Sequence, residues 1–164
     1  MRLSKTAWIA ISGLTWFVVG IGLLTLGLNF IVYKAQMQPH ETGSLIAKLA
    51  PFAGGREQGA LALIAIGLIF GFVKGRFVLV KTVKRVSQRI LVLQEPIQLS
   101  QVYGKGYLFL IGGMVLLGIS MKWFGLPDEV RGLIDVAVGS ALMNGSSAYF
   151  RVAMHVRKEL KKTL

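Results

Sequence analysis

Cysteine is absent from the chain. No disulfide framework, thiolate metal site or thiol nucleophile is therefore available. Charge is scarce as well. Asp, Glu, Lys and Arg make up 16% of the residues, against about 25% in an ordinary soluble domain. Acids are the rarest part of that, 7 against 19 bases. Histidine occurs twice, at His40 and His155. The topology derived below puts these two on opposite sides of a membrane, so they share neither a metal nor a catalytic pair. The sequence has no Walker-type phosphate loop, no zincin motif, no nucleophile elbow and no dinucleotide fingerprint. The "GKG" of Gly104–Gly106 is too short to hold a phosphate. No set of residues proposes a reaction, so the chain is read as a non-enzyme without cofactor or metal.

What is present is apolar length. Of the 164 residues, 54% are hydrophobic, and they fall in runs long enough to cross a bilayer, which takes about 20 residues as a helix. The first run, TM1, covers 8–33. It follows Arg2 and Lys5 as a signal peptide would, but it far exceeds the about 7–15 apolar residues of a signal core, and no small-residue cleavage pattern follows it. It is read as an uncleaved membrane helix. The second run starts at Ala60, the third covers 107–126, and the fourth begins near 130 and continues into a basic tail ending at 162. The second and fourth are short or polar by strict hydropathy and need protein neighbours, so a packed bundle is expected rather than lone anchors. The expected fold is all-α: one membrane domain over 1–164, a bundle of four transmembrane helices, with helices 2 and 4 extended into the cytoplasm.

Charge sets the orientation. With the N-terminus inside, the inner segments hold Arg2, Lys5, Lys74, Arg76, Lys81, Lys84, Arg85, Arg89, Lys105, Arg151, Arg157, Lys158, Lys161 and Lys162. The outer loops hold Lys34, Lys48, Arg56, Lys122 and Arg131, balanced by Glu41, Glu57, Asp128 and Glu129. The excess of Lys and Arg on one side predicts both termini in the cytoplasm. The expected location is a bacterial inner (plasma) membrane. So strong a bias argues against dual topology.

Two copies of a helical hairpin are also legible. Trp8, Gly13, Gly20-Ile21 and Gly27-Leu28 align with Tyr107, Gly112, Gly118-Ile119 and Gly125-Leu126, allowing one gap. Such copies would be parallel repeats about an axis along the membrane normal. The alternative, chance alignment of glycine-rich helices, stays open. The outer loop, 34–59, contains "GSLIAKL", which suits a short interfacial turn of helix ended near Pro51 and Gly54-Gly55. The inner link, Gln94 to Gly106, contains Pro96 and is expected to be irregular. Pro127 followed by Asp128 and Glu129 suits a helix start.

The stretch from the second crossing onward, 60–93, changes pattern part-way. Gly67, Gly71 and Gly75 recur at steps of four and form a flat strip for close helix approach. Leu79, Val83, Val86, Ile90 and Leu93 then form a heptad seam, with Lys81, Lys84, Arg85 and Arg89 at the other positions. The membrane is expected to end near Lys74–Arg76 while the helix goes on. On the fourth helix, Tyr149, Val152 or Ala153, Val156 and Leu160 make an apolar stripe edged by Arg151, Arg157, Lys158, Lys161 and Lys162. The two extensions either pair with each other or lie on the inner leaflet. Either way the basic residues face anionic lipid or a partner, and attraction to lipid is worth about 1 kcal/mol per base near the surface. Nucleic acid ranks low, because juxtamembrane lysines commonly serve topology.

Polar chemistry within the membrane is confined to the fourth helix. Ser140, Asn144, Ser147 and Arg151 share one face. Asp135 is the one acid placed within a crossing, on nearly the opposite face, and its expected partner is Arg131 one turn earlier or a basic group on another helix. The polar face either lines a solute path or hydrogen-bonds between helices, Ala137, Ala141 and Gly145 allowing close approach. Lys122, Trp123 and Phe124 read as a snorkelling base in an aromatic belt. The expected function is a non-enzymatic membrane scaffold or accessory subunit, alone as a homo-oligomer or within a larger complex. The alternative is a small oligomeric transporter or channel using the polar face.

Overall fold

A computed structural model describes residues 4–37, 44–92 and 105–162, with side chains described except at 105–111, 114–115 and 159–162. The described residues are helical, joined by short turns. Helix α1 is Lys5–Met37, α2 is Leu45–Ala53 and α3 is Arg56–Lys74. A wide π-helical turn, Gly75–Leu79, leads into α4, Val80–Val92. Helix α5 is Lys105–Trp123 and α6 is Asp128–Lys162. Leu93 of the heptad seam and the inner link from Gln94 to Gly104 lie outside the described residues.

Two of these helices are long and apolar enough to cross a membrane: α1, and the unbroken helix from Arg56 to Val92. Their apolar windows are mostly exposed, only 28% and 22% buried. Leu14, Val18 and Leu26 on α1, and Leu61, Ile69 and Phe70 on α3, are all more than half exposed. Contiguous apolar surface on that scale marks a membrane or partner face. Helix α6 does not pass the same test. Asp135, Ser140, Asn144, Ser146 and Ser147 interrupt it.

Helix α6 is nevertheless the centre of the molecule. Its small residues receive α1 along one side. A methyl group added at Gly27 would sit 2.6 Å from the Gly132 carbonyl oxygen, one at Gly20 3.0 Å from that of Gly139, and one at Gly13 2.8 Å from Tyr149 Cβ. These contacts descend α1 as they climb α6, so the two helices are antiparallel. The glycines recur every seven residues on both, which is the period of a left-handed packing seam. On another side α6 receives the second span. Gly67 lies on Leu133 and Val136, Gly71 on Ala137, Gly75 on Ala141 and Leu79 on Gly145. The offset is constant and the numbers rise together, so α3 and α6 are parallel.

The wide turn has a physical reason. Successive steps of four drift around an α-helix by about 40° each. Gly67, Gly71, Gly75, Leu79 and Val83 take four such steps, which would carry the last of them off α6. Widening one turn rotates the chain less per residue and removes the drift, so Gly75, Leu79 and Val83 all stay buried. The seam then continues with Ser87 and Ile90 buried and Val86 half-buried. Leu79, Val83 and Ile90 pack with Trp8 and Ile9 of α1 and with Tyr149 and Ala153 of α6. The extension is thus one side of a three-helix stalk rather than a strip on the leaflet. Lys5 Nζ donates to the Leu91 carbonyl at 2.8 Å, capping the end of α4 where the helix dipole favours a cation.

Several expectations are corrected. The second long helix begins at Arg56 rather than Ala60, with Glu57 in its first turn beside the positive dipole end. Helix α2 ends at Gly54, as expected, with a left-handed φ of 90° and an N–H returned to the Ala50 carbonyl, but Pro51 lies inside the helix. The glycine alignment between α1 and α5 does not translate into like packing. Among the described residues nothing lies within 4 Å of a methyl at Gly112 or Gly118, and Gly125 takes φ 61° in the turn after α5.

The contrast yields a test. Gly71→Ala and Gly27→Ala each drive a methyl into backbone, and backbone cannot rotate aside. Each is expected to cost about 3 kcal/mol, the upper part of the range for overpacking. Gly112→Ala meets open space and is expected to be neutral or to gain up to about 1 kcal/mol of helix propensity. Thermal midpoints in mild detergent measure all three, and equal shifts would sink this account of the packing.

Candidate functional site

The polar face of α6 is built by the register just described. Ser140 Oγ donates to the Leu68 carbonyl at 3.2 Å, and Asn144 Nδ2 donates to the Phe72 carbonyl at 3.0 Å. Both acceptors are backbone oxygens of α3, one turn apart, and both donors are one turn apart on α6. A helical carbonyl has a second lone pair, so it accepts these bonds while serving its own helix. Ser147 Oγ turns back to the Asn144 carbonyl at 2.7 Å, and Ser147 is exposed. Arg151 is exposed a turn further on. The four residues therefore do not act as one unit. Two clamp α3, one serves its own helix and one faces outward.

Asp135 and Arg131 do not form the expected ion pair. Arg131 instead pairs with Asp128 at 3.6 Å and lies over the Phe30 ring of α1, its guanidinium carbon 4.8 Å from the centroid. Asp135 forms no ion pair within 4 Å among the described residues, and it is partly buried. Among the described residues no three His, Asp or Glu side chains gather as a metal site would require.

The residue missed by sequence reasoning is Glu129. Its position in the first turn of α6 predicts only a dipole contact. In the fold its side chain is buried, 1% exposed, and its Oε2 accepts the backbone N–H of Leu45. It thereby satisfies the first N–H of α2, while Ser44 Oγ accepts from Ala47 N at 3.0 Å. One carboxylate ties the start of α2 to the start of α6 across 84 positions of sequence. No local pattern announces so long a link. The packing beneath it is apolar: Ile46 of α2 is fully buried with Ile31, Ala60, Leu63 and Val136.

The basic residues Lys81, Lys84, Arg85 and Arg89 all lie on the exposed side of α4, opposite the seam, and Arg157 and Lys158 are exposed on α6. Helix α6 continues through Lys161 and Lys162. At the other end Trp123 and Phe124 are 88% and 77% exposed, and Phe52 at the tip of α2 is 91% exposed. Aromatic rings so placed suit a membrane–water boundary.

Three substitutions follow. Glu129→Ala leaves the Leu45 N–H without its acceptor, at a cost of about 1–3 kcal/mol. Glu129→Gln retains an acceptor oxygen at the same reach and is expected to cost less than half as much. Thermal unfolding together with protease susceptibility around α2 reads both, and an alanine variant as resistant as wild type would show the tie to be idle. Asn144→Leu removes one interhelical bond of a kind worth about 0.6 kcal/mol on average, and a small fall in thermal midpoint with unchanged oligomer size is expected. Comparison with known proteins finds no matching family, no matching curated relative and no matching solved structure.

Proposed function

We propose that the chain is a four-crossing integral membrane protein with both termini in the cytoplasm of a bacterial inner membrane. In this reading it serves as a non-enzymatic scaffold or accessory subunit of a larger assembly. The observation that carries the topology is that α3 and α6 are parallel. The chain leaves α4 at one end of the bundle and begins α6 at the other, so it must recross between Val92 and Asp128. Helix α5 is the described helix in that interval.

The register supports the same reading. A hydrocarbon slab of about 30 Å spans about 20 residues of helix. Laid on the second span from Gly59 to Leu79, it covers α1 from about Leu14 to Lys34 and α6 up to about Gly145 through the observed contacts. Lys34, Arg56, Glu57, Asp128 and Glu129 then gather within about a turn of one edge, and Lys5, Lys81 and Arg151 lie past the other. Lys74 and Arg76 fall inside the edge by one or two turns. Both are exposed and can extend to it; Lys74 also lies over the Phe70 ring at 5.6 Å. Helix α6 crosses despite its polarity because two of its faces meet protein instead of lipid.

The scaffold reading follows from where the polar groups go. Ser140 and Asn144 are engaged by α3 backbone, which leaves them little capacity to carry a solute. What stays free is the basic inner end, whose natural contacts are anionic lipid on the cytoplasmic leaflet and other members of an assembly.

Reporter fusions after Lys105 and at Leu164 are expected to read as cytoplasmic, and a fusion near Gly43 as external. An external C-terminus would overturn the topology. In liposomes the wild-type protein is expected to pass neither ions nor small solutes. A flux that disappears in Asn144→Leu while fold and oligomer size persist would replace the scaffold with a transporter or channel.

A further inference from the structure

The exposed surface changes character at one level of the bundle. Through the wide turn the exposed side chains are mainly apolar, up to Phe77 and Val78 at 68% and 56%, with the base Arg76 among them. Beyond Val80 the exposed residues of α4 are Lys81, Lys84, Arg85, Gln88 and Arg89, then Val92 at its end. The constant offset between the parallel helices sets Arg151 level with Arg85, His155 with Arg89 and Lys158 with Val92, and all of these are exposed. No acid occurs within 80–92 or 147–158. The stalk stands upright because Val83, Ile90, Tyr149 and Ala153 are buried against one another and against Trp8 and Ile9.

Height divides these bases into two tiers. At 1.5 Å per residue, Lys81, Lys84, Arg85 and Arg151 lie within about 10 Å of the level of Leu79. That is the depth of the headgroup layer, about 5–7 Å on each side, plus the reach of a side chain. Arg89, Arg157 and Lys158 lie about 15–20 Å up. They clear the headgroups by roughly one Debye length, about 8 Å at physiological salt, where the pull of the leaflet has faded. Lys81, Arg85 and Arg89 also repeat at steps of four on one ridge, an arrangement of like charges that disfavours the helix unless an anion is near. At the same height two apolar side chains are exposed where lipid tails do not reach: Met154 at 58% and Val92 at 83%. Arginine and methionine together are enriched at protein interfaces. Headgroups or nucleic acid alone would leave those apolar groups without a use.

We propose that the tip of the stalk, with Arg89 and Val92 on α4 and Met154, Arg157 and Lys158 on α6, docks an acidic, partly apolar protein segment. The lower tier belongs to anionic headgroups. This rests on the membrane reading above and names the partner class of its basic inner end.

The test uses the full chain in nanodiscs, where both faces are open to solution. Binding is then read whichever side the stalk occupies, and the topology stands or falls separately on the fusions. The probes are a synthetic peptide of mixed Glu and Leu, a single-stranded oligonucleotide, and discs with and without phosphatidylserine. Two triple variants alter only exposed side chains: Arg89→Gln, Arg157→Gln, Lys158→Gln at the tip, and Lys81→Gln, Lys84→Gln, Arg85→Gln below. The tip variant is expected to weaken the peptide at least tenfold while the preference for phosphatidylserine stays within twofold, and the lower variant is expected to do the reverse. Met154→Ser is expected to weaken the peptide several-fold without touching the lipid preference. Equal peptide losses in both triple variants, no peptide binding by wild type, or a lipid preference lost with the tip would each overturn the proposal. So would tighter binding of the oligonucleotide than of the peptide.

Discussion

Contact between backbones is the constraint on which the rest depends. Between helices in lipid no hydrophobic force acts, because acyl chains are as apolar as leucine. Association then rests on dispersion, which falls off within an ångström of ideal contact, and on any hydrogen bonds that close approach permits. Helix α6 meets this twice. Gly132, Gly139 and Ser146 face α1, and Ala137, Ala141 and Gly145 face the second span. The least apolar of the long helices is therefore the central one. Its small and polar residues would be costly against lipid, but they are what lets two other helices come within reach. Hydropathy alone ranks such a helix below its neighbours for the same reason that packing ranks it first.

How much of this was legible depends on whether the signal was local. The strip Gly67–Gly71–Gly75 and the seam through Val83 and Ile90 are periodic within one helix, and both faces are buried as their periods require. The wide turn that joins them was not foreseen, although the run of fours already contained the drift it corrects. The seven-residue spacing of Gly13, Gly20 and Gly27 was visible too, but it was matched to α5 as a repeat instead of to the equally spaced Gly132 and Gly139. A period says that a face is flat. It does not say which helix lies on it. Glu129 is the opposite case, since its acceptor role depends on a residue 84 positions away and on the packing that brings α2 across.

The polar face of α6 shows how far composition can mislead about chemistry. Ser140, Asn144, Ser147 and Arg151 share a face on a helical wheel, but a wheel has no neighbours. In the bundle the first two reach carbonyls of α3, Ser147 returns to its own helix and Arg151 lies at the level of the stalk. Whether such an amide is open or clamped is decided by the distance to the next backbone. Here the same glycine and alanine contacts that bring α3 close also bring its carbonyls within hydrogen-bond reach.

The two ends of the bundle are built on different terms. At the end where α6 begins, α2 folds over the bundle, Ile46 is buried and Glu129 of α6 closes the start of α2. Charges there are of both signs, and Asp128 and Arg131 pair within a turn. At the other end the three-helix stalk is closed inside by Trp8, Val83 and Tyr149, while over 80–92 and 147–158 its outside carries bases without acids. A surface of one sign on a rigid support keeps its charges apart and does not neutralise itself. Such repulsion is tolerated only where an opposite charge is available from outside. The asymmetry is one of charge: the end where α6 begins sets acids beside bases, and the stalk over 80–92 and 147–158 carries exposed bases alone.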